Sequence, residues 1–191
     1  GKTYTVRYIN GNCWMTQNLA YDLTDKTFEI NGTQVTAKDD MSDSYTAPHF
    51  HIPTEDELGS LTKQEIGIYY NYCAATAGEV CNYSSFSGAI TATSSICPAG
   101  WSLPKEEQIS TIKGEHSPGV SIPGEVEKFT PVESGRIANG KIFGVGTNGG
   151  IWWSSKSNGD SSSYLSFFKG VIQNGGGQRN YSFSIRCTRS E

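Results

Sequence analysis

The sequence lacks long hydrophobic runs and any excess of positive charge. No stretch of 18 apolar residues occurs, so we expect no membrane insertion in this segment. The 15 Lys and Arg residues are outnumbered by 19 Asp and Glu, the net charge is −4, and the basic residues form no stripe. Nucleic acid is therefore not an expected partner. With 36% hydrophobic and 12% aromatic residues, the chain can still bury a core, which excludes disordered, collagen-like and coiled-coil classes.

The motifs of common catalytic and metal sites are also missing. No Ser lies in a Gly-x-Ser-x-Gly elbow, and no two Cys have the spacing of a zinc knuckle. Residues 144–149 match Gly-x-Gly-x-x-Gly, but a strand-like Gly-Ile-Trp-Trp follows instead of a helix, so we reject dinucleotide binding. His49 and His51 could hold a metal with Asp43, yet no third ligand has a suitable spacing, and an exposed loop pair is the expectation. No metal and no cofactor are expected.

The hydrophobic pattern predicts strands at both ends of the chain and two helices between them. Asn10-Gly11 and Asn31-Gly32 are typical of tight hairpin turns. A Thr-x-x-Glu capping box predicts a helix over 54–66, and Pro104 followed by acidic residues predicts a second helix. From Lys141 onward, short aromatic strands alternate with turn clusters. This order indicates an α+β fold.

Five cysteines allow two interpretations. Cys73 and Cys81 enclose a short polar loop, and a bond between Cys97 and Cys187 would staple the middle of the chain to its C-terminal strand. Such disulfides would place the protein outside a reducing cytosol. Five buried free thiols are the alternative, because cysteines cannot be paired from sequence alone. Cys13 is the candidate for an unpaired buried thiol.

The window 154–181 has an unusual composition. It concentrates Ser, Asn, Gly, Asp, Gln, Arg and Tyr, which are the residues favoured in antibody-like binding surfaces. A solvated loop without function would contain the same small polar residues, but it gives less reason for Tyr164, Arg179 and Tyr181 between strands. The window therefore predicts a ligand surface.

Four separated segments resemble the Fibrobacter succinogenes major paralogous domain. They are residues 4–19, 96–104, 150–155 and 181–187, of which the Cys-Pro-x-Gly-Trp-x-Leu-Pro block at 97–104 is the most specific. The resemblance implies a C-type-lectin-like fold akin to the formylglycine-generating-enzyme branch, on secreted or surface-anchored proteins, and a Cys97–Cys187 bridge. Such domains occur at adhesin tips and as variable proteins of diversity-generating retroelements.

We accordingly expect one domain over 1–191, with an insertion at about 20–66. Its fold would be α+β and C-type-lectin-like, with two helices around a mixed, mainly antiparallel sheet, long loops and disulfide staples. The expected function is extracellular or cell-surface binding of a protein or glycan ligand, without catalysis. The alternatives are a structural fibre or surface-layer subunit and an enzyme of the formylglycine-generating type. The expected ligand residues are Trp153, Ser155, Lys156, Asn158, Asp160, Tyr164, Gln173, Asn174, Gln178, Arg179 and Tyr181.

Overall fold

The computed structural model describes residues 2–81, 91–113, 129–152, 160–169 and 171–190. Strands predominate in these ranges. The strands are β1 (Val6–Ile9), β2 (Asn12–Met15), β3 (Thr27–Ile30), β4 (Thr33–Thr36), β5 (Lys38–Asp39), β6 (His49–His51), β7 (Tyr69–Asn71), β8 (Ser134–Ala138), β9 (Lys141–Val145), β10 (Asn148–Trp152), β11 (Ser161–Phe168), β12 (Val171–Gln178), β13 (Ser182–Phe183) and β14 (Thr188–Ser190). The helices are α1 (Lys63–Ile66), α2 (Tyr72–Ala75), α3 (Glu106–Lys113) and a 3-10 turn, Glu55–Glu57.

The expected α+β, C-type-lectin-like fold with two helices around a mixed sheet is wrong. The fold is mostly β, with 39% of the described residues in strands and 12% in helices. The helix expected over 54–66 is replaced by the 3-10 turn and by the four residues of α1. Gly59 separates them at a φ of +58°, and Thr62 starts a second capping box with Glu65. Two starts in succession therefore leave no room for one long helix.

The second helix and both hairpins are confirmed. α3 follows Pro104 and buries Ile109 and Ile112. The turns at Asn10-Gly11 and Asn31-Gly32 have positive φ at both central residues, which matches the twist of the strands they join. These elements are determined locally, by turn residues and caps.

The strands form three sheets in the described ranges. The largest has the order β12-β11-β10-β8-β13-β7-β6-β5, with β9 also paired to β8. A three-stranded sheet has the order β1-β2-β14, and β3 pairs with β4 alone. β12 and β5 are thus the two edges of the large sheet.

Two hydrophobic clusters pack against the large sheet near β12. One contains Trp152, Phe183 and Tyr72, with Tyr164 half-buried against it. The other contains Trp14 of β2, Leu165 and Phe167 of β11, and Phe129, which precedes β8. β11 is therefore fixed from both sides.

The C-terminal strands are joined to the remainder by a buried arginine and a disulfide. Arg186 is fully buried, donates from Nε to Asn18 Oδ1 at 2.8 Å and from NH2 to the Thr130 carbonyl at 2.9 Å, and lies over the ring of Phe129. Burial lowers its pKa to about 9. Cys187, the residue directly before β14, forms a disulfide with Cys97.

The second disulfide joins Cys73 of α2 to Cys81. Cys13 is free, as expected, but it is partly exposed and not buried. None of the described helices combines the length and the apolar character that crossing a membrane requires. The insertion at about 20–66 stays a prediction.

Candidate functional site

The candidate site is the hairpin of β11 and β12, which pair antiparallel along all eight residues of each strand. Seven of the predicted ligand residues lie on or beside it: Asp160, Tyr164, Gln173, Asn174, Gln178, Arg179 and Tyr181. The other four lie outside the described residues: Trp153, Ser155, Lys156 and Asn158.

The hairpin does not bring the predicted residues together on one face. Side chains of residues that pair across strands share a face, and successive residues alternate. Tyr164 and Gln173 therefore lie on one face, whereas Asn174, which pairs with Leu165, lies on the other with Gln178. The expected single ligand surface is divided between two faces.

Tyr164 supports the hairpin and is not a free aromatic anchor. Its ring stacks on Phe183 with centroids 4.3 Å apart and meets the edge of Trp152 at 6.3 Å. It also covers Gly175, where an added Cβ would lie 2.4 Å from Tyr164 Cζ. The glycine is required there because the tyrosine ring occupies the space of a side chain.

Arg179 is buried beneath the hairpin, so it is not among the exposed members of the predicted surface, and its contact with a ligand stays a prediction. Only 1% of it is exposed, and its amide donates to the Asp160 carbonyl at 2.8 Å. Burial lowers the pKa of Arg179, and the negative potential of Tyr72, Asp160 and Tyr45 opposes that effect. The residue closes the base of the hairpin from inside.

Asp160 and Tyr181 are half-buried at the same base. The carboxylate of Asp160 accepts a hydrogen bond from Ser161 Oγ at 3.1 Å. The amide of Tyr181 donates to the Gln178 carbonyl at 3.0 Å, and its ring packs against the core cluster of Trp152. Both residues therefore fix the end of the hairpin.

The exposed members of the prediction all belong to β12. Gln173, Asn174 and Gln178 are exposed, and so is Gly176 between them. Between Val171 and Gln178 the strand contains neither charged residues nor proline. The surface that remains of the predicted site is thus the uncharged outer strand of the sheet.

The expectation of an exposed histidine pair in a loop is also wrong. His49 and His51 lie on β6, His49 is buried, and its Nδ1 is 2.5 Å from Asp40 Oδ1. His51 Nε2 is 2.8 Å from Glu57 Oε2. Each ring thus has its own carboxylate. Across the described ranges no group of three His, Cys, Asp or Glu side chains is arranged to hold a metal ion.

Sequence reasoning missed two adjoining clefts beside the first residues of the chain. Their volumes are about 540 and about 600 Å³, and they share Lys2, Tyr4, Ala20 and Asp22 in their linings. Lys2 Nζ donates to the Ala20 carbonyl at 2.6 Å, and the Ala20 amide donates to Tyr4 Oη at 3.1 Å. The lining residues form no sequence motif, because the clefts arise where segments distant in sequence come into contact.

The glycine-rich segment 144–149 contains the end of β9, the turn at Gly146-Thr147 and the start of β10. Gly144 and Gly146 have φ values of +77° and +74°, as a tight reversal requires. The segment leads into the strand β10, so the helix N-terminus that would bind a pyrophosphate is missing at this point of the described chain.

The sequence model of the Fibrobacter succinogenes major domain (Fib_succ_major) matches residues 8–118, more than half of the chain. The chain belongs to this family. The family named from the sequence is thereby confirmed. No curated protein and no solved structure matches the chain.

In this Fibrobacter succinogenes major domain, the family match and the candidate hairpin occupy different parts of the chain. The matched residues include every described element from β2 to α3 and end before β8. β11 and β12 lie more than 40 residues beyond the end of the match. The matched part supplies strands of the same large sheet, β5, β6 and β7, on which the C-terminal strands are assembled.

Proposed function

We propose that this Fibrobacter succinogenes major domain is a ligand-binding module that works outside the cytosol, at the cell surface or after secretion, and has no catalytic role. The observation that carries the proposal is the outer strand β12. It is uncharged, and it pairs along its whole length with β11, whose Leu165 and Phe167 are buried. Its exposed residues are Gln173, Asn174, Gly176 and Gln178. A rigid strand with exposed amide side chains is suited to recognition.

The two disulfides support the location. Their formation is typical of oxidising compartments and is rare in the cytosol. They also weigh against the enzyme alternative, because a formylglycine-type reaction would need reactive thiols. Cys73 and Cys81 are bonded to each other and are 1% and 4% exposed.

The hairpin also suits the variable region that the family resemblance implies. Gln173, Asn174 and Gln178 are exposed, so we expect them to accept many side chains at little cost to stability. Arg179 and Tyr164 are enclosed by the core and cannot vary in the same way. A nearby reverse-transcriptase gene with a template copy of this region, differing at the codons of the three exposed residues, would support diversification.

The binding proposal is tested by blocking β12. The disulfide-bonded domain is screened against a glycan array and against a random dodecapeptide library displayed on phage. Asn174→Lys with Gln178→Lys places bulk and charge on the strand, and we expect binding of the selected ligands to fall at least about tenfold.

The matched control changes an exposed strand elsewhere. Gln34→Lys with Thr36→Lys on β4 adds the same two charges to exposed positions of the hairpin β3–β4, and we expect binding to change less than about twofold. Equal losses in the two variants, or no binder from either screen, would overturn the proposal.

A further inference from the structure

The outer side of β12 has hydrogen-bonding groups that the hairpin does not use. Phe168 pairs with Val171 at the end of the hairpin that lies beside Lys169, and such closing pairs exchange hydrogen bonds in antiparallel hairpins. The same alternation continues to the base, where the Arg179 amide donates to the Asp160 carbonyl. The backbone groups of Ile172, Asn174 and Gly176 therefore point away from β11.

The outward groups of Asn174 and Gly176 are open to a partner, whereas Ile172 is buried. None of the three residues has a backbone hydrogen bond to another residue in the described ranges beyond the sheet ladder. Asn174 and Gly176 are exposed, and a Cβ added to Gly176 would meet nothing within 4 Å. An extended chain could therefore approach this edge closely.

We propose that β12 binds an extended peptide segment of another protein, which adds to the large sheet as a further strand beside Val171–Gln178. This inference rests on the proposed binding function and names its ligand class. Main-chain hydrogen bonds to Asn174 and Gly176 supply the affinity, as in other cases of strand addition. The side chains of the peptide supply the selectivity.

The glycines favour a foreign peptide over a second copy of this chain. Two copies paired through β12 would place Gly175, Gly176 and Gly177 against the same residues, so few side chains would meet. A peptide with an aromatic or β-branched residue opposite Gly176 covers that open glycine instead, as cross-strand aromatic side chains do.

The charge of Lys169 indicates what the peptide should carry at the end that lies beside the turn. The only charged residue from 161 to 178 is Lys169, at the turn, where its Nζ lies 5.2 Å from the ring centroid of the exposed Phe168. The peptide is therefore uncharged along the strand, with an acidic residue beside the turn.

A glycan fits the hairpin less well. Sugar rings stack on open aromatic faces, but Tyr164 is stacked on Phe183 and also covers Gly175. The ring is thus already occupied by the protein's own contacts.

The first test compares two variants of one residue. Peptides selected from the displayed dodecapeptide library are measured against Asn174→Pro, which removes an outward amide, and Asn174→Ala, which keeps it. An edge strand tolerates proline where its N–H faces outward. We expect a loss of at least about tenfold with proline and less than about threefold with alanine. Equal losses would assign binding to the side chain and overturn the inference.

The second test leaves the domain unchanged, so it does not depend on the folding of a variant. The selected peptide is N-methylated at one position at a time, and we expect its affinity to fall only at every second position. Losses of affinity at consecutive positions would overturn strand addition.

Hydrogen exchange of the domain gives the complementary result. In the free domain, exchange should be slow at Gln173 and Gly175 and fast at Asn174 and Gly176, and bound peptide should slow exchange at Asn174 and Gly176.

Failure of the inference is distinguishable from failure of the function. Binders that are glycans only, blocked by the lysine variant of β12, would overturn the peptide proposal and leave the binding function intact. Concentration-dependent dimers with slowed exchange at Asn174 would assign the edge to a second copy and overturn it as well. No effect of the lysine variant would overturn both.

Discussion

At one edge of the large sheet β5 has two residues, Lys38–Asp39, whereas at the other β12 extends over eight, Val171–Gln178. Both residues of β5 are charged and exposed, and the carboxylates of Asp39 and of the next residue, Asp40, contact the histidines of β6. Short length and charge are the usual means by which an edge avoids pairing with other chains. β12 has neither of these protections.

The difference shows what each edge is for. The β5 edge ends the sheet, since a new strand there would find two residues and several charges. The β12 edge is long, uncharged and rich in glycine, although the strand beside it is buried on both sides by the clusters of Trp152 and Trp14. Such an edge is an aggregation risk unless a partner uses it, which supports strand addition at β12.

The largest effect should come from separating β12 from its support. Leu165 is fully buried, and Asn174, its partner in the register, is exposed. We expect Leu165→Ala to lower the free energy of unfolding by about 2–5 kcal/mol, because it leaves a cavity in the cluster of Trp14 and Phe129.

Asn174→Ala is the matched control, with an expected change within about 0.5 kcal/mol. Urea denaturation followed by tryptophan fluorescence measures both variants. Similar losses in the two would mean that β12 is as tightly packed as β11, and the contrast between a supporting and a presented strand would disappear.

A smaller effect distinguishes neighbouring glycines of β12. An added Cβ at Gly175 would clash with the ring of Tyr164, whereas at Gly176 it would meet open space. We expect Gly175→Ala to cost about 1–3 kcal/mol, as overpacking does, and Gly176→Ala to stay within about 0.5 kcal/mol.

The double variant Tyr164→Ala with Gly175→Ala provides the control for that clash. Without the ring, the alanine should cost almost nothing beyond the loss caused by Tyr164→Ala alone, as a double-mutant cycle would show. If the two costs simply add, the close contact between ring and glycine is not what excludes a side chain at 175.

Much of the fold could be predicted where short segments determine it. The Asn-Gly turns at 10–11 and 31–32 and the start of α3 depend on neighbouring residues, and all three were predicted correctly. The helix over 54–66 was not, because a positive φ at Gly59 divides it.

The candidate site shows the same limit. The window 154–181, chosen by composition, includes the hairpin, but composition could not separate Arg179 from Gln178, one buried and the other exposed. The glycines at 175–177 interrupt the alternation of apolar and polar side chains that would have indicated which face of the strand is buried. Burial at this position depends on packing against distant strands, which the local sequence does not contain.

The smallest effect concerns the charged edge and depends on pH. Burial raises the pKa of Asp40, but hydrogen bonds from His49 and from the Ser42 amide outweigh it, and the pKa lies below its usual 3.8. The pKa of Glu57 lies below 4.5 for similar reasons, with donors from Thr54 and His51 outweighing burial. A carboxylate whose pKa is lower in the folded state stabilises the fold above its unfolded pKa.

That stability should be lost as the pH falls below about 4.5, by no more than about 1 kcal/mol for each of these partly exposed groups. Urea denaturation of the domain and of Asp40→Asn with Glu57→Gln, from pH 6 to pH 3, measures the loss. We expect the variant to be less stable at pH 6. The difference in free energy of unfolding should disappear towards pH 3, because protonation of Asp40 and Glu57 weakens in the wild type the same contacts that the variant lacks. The control uses β12, which contains no carboxylate. The alanine variants at Gly175 and Gly176 should differ from the wild type in free energy of unfolding by the same amount at every pH in this range. If that difference also shrank towards pH 3, acid would destabilise the whole sheet, and the histidine and carboxylate contacts would not explain the pH dependence.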